Sequence, residues 1–379
     1  MHYFFLGNTP SLSLLELESL YPAQFSLVTE EIASYPSELD LTNLSKLGGV
    51  RKVALELAVV KERSLESKLI ELIRIDQGGK NVAITSYGMK DLQPISLSNI
   101  KKAVSEERPI RFVAMDTSPH ELIMLARQHV SEFNVLPAKT AELSAGHLDQ
   151  KFIIAKTVWI YDASDWVSRD RSKPYRDIKR GMLPPKVARI MVNLATKGQT
   201  GLTLADPFCG TGTVLSEAMM VGCHVIGSDL DPLAVKGASS NLEWLASPSN
   251  SPLKSLQTSL YVLDATHFDT HVKSVDCIAT EPYMGPLLDE RNPSSLDRIK
   301  NIAKGLDKMY RGAFKAFHSV LPVGGRIVIS LPIFQVYGKL IPTISVDSLT
   351  RLGYNYISAV PYSKPGAAVI RNITILEKK

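Results

Sequence analysis

At 379 residues the chain exceeds most single domains and predicts two or three packed units. With 45% hydrophobic and 21% charged residues its composition is that of a globular protein and argues against long disorder; the most apolar late stretch, VLPVGGRIVISLPIF, is broken by Arg326 and by prolines, which excludes a membrane span there. The net charge of +5, from 43 basic and 38 acidic residues, is too mild in total to imply a nucleic-acid partner, so its distribution carries the information.

The start, MHYFFLGNTP, lacks a basic flank and breaks after a few apolar residues, so no secretory signal is read and a cytoplasmic location is expected. HYFFLG predicts a strand, SLSLLELESLY an amphipathic helix capped by Ser11 or Ser13, and VRKVALELAVV a strand after the Gly48-Gly49 turn. Next come SLESKLIELIRI as helix, NVAITSYG as strand, LSNIKKAVSEE as helix, IRFVAM as strand, SPHELIMLARQHV as helix and KFIIAKTVWIYD as strand. This half carries no nucleotide fingerprint and reads as small α+β modules.

Residues 162–190 change character, with prolines at 174, 184 and 185, and mark a junction. Arg169, Arg171, Lys173, Arg176, Lys179 and Arg180 stand there against Asp170 and Asp177. Such a run suits either a solvated linker or a grip on a phosphate backbone.

From about residue 186 the pattern becomes regular. PKVARIMVNLA predicts a helix, LTLAD a strand, TVLSEAMMVG a helix, HVIGSD a strand, LAVKGASSNLEWL a helix, LYVLDAT and VDCIATEP strands, 300–319 a helix and GRIVISLP a strand. NYISAVPY and AVIRNITILEK close the chain as an antiparallel hairpin on the edge. The βα alternation predicts a doubly wound α/β sheet that binds ligands at the carboxyl ends of its strands. Cys209, Cys223 and Cys277 are too far apart, and without paired histidines, to suggest disulfides or a metal site.

DPFCGTGTVLSEA is neither G-x-G-x-x-G nor a P-loop, because no lysine follows its second glycine. Asp206 ends one strand, Gly210 and Gly212 let backbone approach a ligand, and Asp229 ends the next strand, where a carboxylate can hold a ribose diol. Asp264, after the third, can accept from a purine amine, and Asp206 can serve a cationic amino group. Phe208, Leu230 and Ala265, which flank these positions, are expected to bind the same ligand. Helix capping explains each aspartate singly but not all three on consecutive strand tips. An adenosine bearing an amino acid satisfies the set, which points to S-adenosylmethionine.

The fourth strand runs into IATEPYMGP, residues 278–286. An amine conjugated to a base is a poor nucleophile, since its lone pair is delocalised into the ring. The Glu281 carboxylate and the Pro282 carbonyl can each accept one amine hydrogen and aim that lone pair, while Tyr283 can stack on the base. A base buried in a helix must be flipped or unpaired to reach them.

LADPFCGTGTVLSEA, VIGSDLDPLAV, GMLPPKVARIMVNLA, YFFLGNTPSLSLLELESLY and KLGGVRKVALEL together resemble the tRNA guanosine-N2 methyltransferases that carry a THUMP domain. The likeness runs over nearly the whole chain and is looser between 60 and 165. It implies a ferredoxin-like segment at 1–60, a THUMP-like RNA-binding domain at 61–165, a basic linker at 166–185 and a class I, Rossmann-like methyltransferase domain at 186–379. It further implies that Asp206, Gly210, Gly212, Asp229 and Asp264 hold the cofactor, that Glu281 is the catalytic acid, and that tRNA, at position 10, is the substrate. One departure stands out: the family's T-D-P-P-Y-G is Thr280-Glu281-Pro282-Tyr283-Met284-Gly285 here. A gapless match puts Glu281 on the acid; matching the Pro-Tyr pair puts Thr280 there. The first is preferred, because a neutral hydroxyl is a poor acceptor for amine hydrogens, and either Tyr283 or Met284 then stacks on the base. Mono- and dimethylation both stay open, as does the oligomeric state. The competing readings are a DNA adenine-N6 or cytosine-N4 methyltransferase, and a non-catalytic RNA-binding protein that keeps the fold.

Overall fold

The computed structural model describes residues 1–88, 95–115, 119–138, 151–177, 183–247, 251–286, 288, 295–364 and 366–379. Two compact units emerge: Met1–Ser45 with Gly49–Asp165, and Lys46–Gly48 with Trp166–Lys379.

The first unit holds strands β1 (His2–Leu6), β2 (Ser26–Thr29), β3 (Ile32–Tyr35), β4 (Val50–Lys61), β5 (Asn81–Ser86), β6 (Arg111–Phe112), β7 (Ser131–Pro137) and β8 (Lys151–Ile160). Its helices are α1 (Pro10–Leu20), α2 (Leu65–Ile75), α3 (Leu97–Ser105) and α4 (Pro119–Arg127). All eight strands join one sheet in the order β2-β3-β1-β4-β8-β7-β5-β6. Because β4 pairs with β1 on one side and β8 on the other, the stretches 1–60 and 61–165 share a continuous sheet. The expected cap of α1 moves: Pro10 opens the helix after Thr9, and Ser13 lies inside it, donating to the Thr9 carbonyl. Proline suits that first position because it has no N–H to satisfy.

In the second unit α5 (Ala163–Arg171, beginning just before it), α6 (Pro185–Thr196), α7 (Thr213–Met220), α8 (Pro232–Ala246), α9 (Phe268–His271), α10 (Leu296–Val320) and α11 (Val346–Arg351) accompany a second sheet. Its strands are β9 (Thr203–Asp206), β10 (His224–Asp229), β11 (Thr258–Val262), β12 (Cys277–Thr280), β13 (Arg326–Val336), β14 (Lys339–Pro342), β15 (Tyr354–Tyr362) and β16 (Val369–Lys378). The order is β11-β10-β9-β12-β13-β16-β15, parallel from β11 to β13, with β14 paired to β13. The reversal of strand order lies between β9 and β12, where a doubly wound sheet opens a crevice at its strand tips. The carboxyl-terminal hairpin forms the edge as expected, with β16 slotted antiparallel between β13 and β15. One face of α10 is apolar, and Ile299, Leu306, Tyr310, Phe314 and Phe317 bury it against the sheet, so this 25-residue helix anchors the core beneath β12 and β13.

Candidate active site

After Asp206 the chain turns through 207–212 into α7. Gly210 (φ 51°) and Gly212 (φ 80°) make this possible, since both occupy the left-handed region that a side chain disfavours. A Cβ on Gly212 would sit 3.2 Å from Ala238 Cβ, where the turn closes on α8; on Gly210 it would meet nothing within 4 Å. That face of the turn is open backbone.

Adjacent strand tips are knitted together. Asp229 accepts from the Gly210 N–H through Oδ2 at 3.0 Å and from the Asp231 N–H through Oδ1 at 2.9 Å. The Ser228 hydroxyl donates to the Pro207 carbonyl at 3.1 Å. Asp264 lies past the end of β11, where its Oδ1 accepts from the N–H and hydroxyl of Thr266, both at 2.8 Å. Its Oδ2 has no partner among the described residues. Ala265 is buried, Phe208 packs half-buried against the core, and Leu230 lies exposed beside Asp229.

Asp206 is only 2% exposed; its Oδ1 accepts from the Thr280 hydroxyl at 2.6 Å and the Phe208 N–H at 3.2 Å. Burial pushes its carboxyl up to about 7, the charges of Asp229 and Glu281 adding to that and the two hydrogen bonds opposing it. The carboxylate is therefore poised to ionise when a cation approaches. Thr280, the alternative match to the family's acid, is buried and commits its hydroxyl to Asp206.

Beyond β12, Glu281 is half-buried and its Oε1 accepts from Arg371 Nε at 2.6 Å. No described donor reaches Oε2. Pro282 is buried, and its carbonyl likewise has no partner among the described residues. The next carbonyl, that of Tyr283, is taken by the Tyr310 hydroxyl of α10 at 2.7 Å, while the Tyr283 side chain is 57% exposed and Met284 is half-buried. The β12 tip thus presents two neighbouring acceptors beside an exposed aromatic ring.

The basic segment divides. Arg169, expected among cations facing RNA, is turned inward: its Nε lies 2.8 Å from Glu217 Oε1 and its guanidinium 4.2 Å from the centre of the Trp166 ring. Arg189 pairs with the other oxygen of Glu217. Lys173, 8% exposed, donates to Thr213 Oγ1 at 3.1 Å, and burial lowers its pKa. Both are turned away from phosphate: Glu217, 48 residues on, and the nearby Trp166 ring hold Arg169, and the Thr213 hydroxyl holds Lys173. Arg171 and Arg176 are exposed; Lys179 and Arg180 lie outside the described residues.

Sequence reasoning missed the support behind the turn. The Asn241 side chain of α8 accepts from the Tyr175 N–H at 2.9 Å and donates to the carbonyls of Tyr175 at 3.0 Å and Thr211 at 2.9 Å. The Tyr175 ring lies over Gly237, where a Cβ would approach its Cδ1 to 2.2 Å. Segment 173–175 and α8 therefore brace the glycine turn from behind. Arg371 and Tyr310 were also missed; a lone cation in the apolar run AVIRNITILEK was the one available signal for the former.

This sheet order and turn are those of the class I, Rossmann-like methyltransferase fold. Residues 173–336 match the family model described as UPF0020, RMKL-like, methyltransferase domain. The resemblance to the tRNA guanine-N2 methyltransferase family is borne out by relatives named tRNA (guanine(10)-N2)-dimethyltransferase. That of Methanothermobacter thermautotrophicus is 30% identical over 190 residues, 49% of this chain and 48% of the relative. That of Pyrococcus abyssi is 33% identical over 155 residues, 40% of this chain and 39% of the relative. The chain thus spans about half or less of the length of the curated relatives it matches. Among solved structures, TrmN from Thermus thermophilus superposes with a TM-score of 0.52 at 17% identity, covering 100% of both chains, a likeness of fold. Among the described residues no helix is long and apolar enough to cross a membrane, and no group of three or more histidine, cysteine or acidic residues could hold a metal ion.

Proposed function

We propose that this protein methylates the exocyclic N2 amine of a guanosine in tRNA with S-adenosylmethionine as donor. The observation that carries the reading is the pair of acceptors without a described partner, Glu281 Oε2 and the Pro282 carbonyl, at the β12 tip next to the glycine turn. The strand tips fit such a donor: the Gly210 face admits close approach, Asp229 offers a carboxylate to a diol, Asp264 has Oδ2 free for an amine, and buried Asp206 suits an ammonium group. When bound, S-adenosylmethionine supplies a methyl group on a positively charged sulfur.

Glu281 and Pro282 act on the acceptor. By taking one amine hydrogen each they orient the amine so that its lone pair faces the turn, and Glu281 Oε2 can receive the proton the amine releases. The exposed Tyr283 ring offers a stacking surface for the base, worth about 1 to 3 kcal/mol. The Tyr310 hydroxyl occupies the Tyr283 carbonyl and so holds the Pro282 carbonyl's neighbour in place. The first unit, with the THUMP resemblance, positions the RNA; Arg171 and Arg176 contact its backbone. The activity named for the relatives supports guanine 10 and two methyl groups.

Transfer of labelled methyl to bulk tRNA, followed by nucleoside mass spectrometry, tests this. N2-methylguanosine or its dimethyl form is expected, and unlabelled guanosine would refute it. A second reading, amine methylation of DNA, draws on the 29% identity over 140 residues to the Type II methyltransferase M.VspI of a Vibrio species; label in duplex DNA and none in tRNA would favour it.

A further inference from the structure

Glu281 has one more methylene than the aspartate of the family motif and hence one more torsion to fix before its carboxylate can aim at an amine. Four ionisable side chains bear on it from four elements: Asp206 from β9, Tyr310 from α10, Tyr362 from β15 and Arg371 from β16. Only Arg371 is a cation. It lies opposite Pro332 and Tyr362 in the sheet, and the insertion of β16 between β13 and β15 brings it to the site. Its side chain is 29% exposed and that of Glu281 16%, so the pair is largely withdrawn from water yet open on one side. A single Nε–H engages Oε1 and leaves Oε2 unpartnered among the described residues.

We propose that Arg371 is a positioning residue: it anchors Oε1 of Glu281 so that Oε2 is presented to the substrate amine. The role rests on the reading of Glu281 given above. A charge-assisted bond of this kind is directional, so it fixes the carboxylate plane as well as its charge. Half-buried near a second carboxylate and two phenols, Glu281 has no other favourable charge from these neighbours.

Four full-length proteins test this: wild type, Arg371→Gln, Glu281→Gln and the double variant, each assayed in single turnover on unmodified tRNA, with cofactor affinity measured by calorimetry. Arg371→Gln is expected to slow transfer about 10- to 100-fold, as a misplaced reacting group does, with the KM for tRNA and the cofactor Kd changing less than about threefold. In the Glu281→Gln background the same change should alter the rate less than about twofold, because Arg371 acts through Glu281. A merely structural arginine would slow both backgrounds equally. Arg371→Lys should recover part of the loss by restoring the charge. Independently of activity, the Arg371 Nε–H proton resonance of the cofactor-free protein should be protected from exchange in wild type and lose that protection in Glu281→Gln. Equal slowing in both backgrounds, a wild-type rate for Arg371→Gln, or an Nε–H indifferent to Glu281 overturns the inference. Should Glu281→Gln itself transfer at the wild-type rate, the assignment of Glu281 falls as well.

Discussion

Asn241→Ala removes the brace behind the glycine turn. Three hydrogen bonds disappear, and the Tyr175 N–H and the carbonyls of Tyr175 and Thr211 lose their partner in a site where Asn241 is itself buried. At about 1 kcal/mol net per bond, and more where a group is left unsatisfied, the loss is about 2 to 4 kcal/mol. Urea unfolding followed by tryptophan fluorescence measures it, since Trp166 and Trp244 both lie in the second unit. A slope of about 2 kcal/mol/M converts the loss into a midpoint lower by roughly 1 to 2 M. Asn241→Asp sharpens the test. It keeps the acceptor for Tyr175 but turns an oxygen toward two carbonyls, so the isosteric change should destabilise more than alanine does. Because Thr211 stands between the two glycines, both variants should also weaken cofactor binding. A loss below about 0.5 kcal/mol for alanine, or a milder effect for aspartate, refutes the account.

Asp206 sets a pH dependence of unusual sign. Its carboxyl ionises near 3.8 when unfolded and near 7 when folded, so between these values the folded state holds the extra proton. Stability contributed by this group therefore falls as pH rises from about 4 to 7 and levels off above, and Asp206→Asn should remove that slope in urea titrations at pH 5 and 8. Gly237→Ala ought to stabilise an exposed helix by about 1 kcal/mol, yet here the new Cβ would reach within 2.2 Å of the Tyr175 ring. Net destabilisation of about 1 to 3 kcal/mol is expected, with the sign reversing in a Tyr175→Ala background; thermal unfolding reads both. Replacing Arg171 and Arg176 together by glutamate should weaken tRNA binding and lower the slope of log K against log salt by about 2, and an unchanged slope would remove them from the interface.

The strand-tip aspartates were legible because parallel βα alternation forces each loop to follow a strand, so the aspartates at 206, 229 and 264 fall on one side of the sheet. The Glu281–Arg371 pair was not, since its members stand 90 residues apart and meet only through the antiparallel insertion of β16. β7 escaped for a different reason. Its sequence SEFNVLP alternates polar and apolar residues only from Glu132 to Val135, too short a run to stand out, and its polar members Glu132 and Asn134 are buried along with the apolar ones. Lys52, 2.6 Å from Glu132, and the hydroxyls of Thr85 and Thr157 make that burial tolerable, and none is nearby in sequence. β14 depends on a two-residue turn in which Tyr337 (φ 49°) precedes Gly338 (φ 73°), a conformation a tyrosine does not advertise. The inward turn of Arg169 was not legible because composition cannot tell that Glu217, 48 residues on, would meet it beside Trp166.

Thr280 links two strand tips. It ends β12, its hydroxyl is bonded to Asp206, and Glu281 follows it in the chain. One peptide unit thus joins the residue bonded to Asp206 to Glu281, the two sides assigned to donor and acceptor in the proposed function. A cation settling against Asp206 favours its ionised form, a stronger acceptor for the Thr280 hydroxyl, so on the proposed reading the donor's arrival would tighten the peptide that leads to Glu281. On the function proposed above the donor is expected to bind before RNA, and Thr280→Val, which removes this bond, is expected to blur that order.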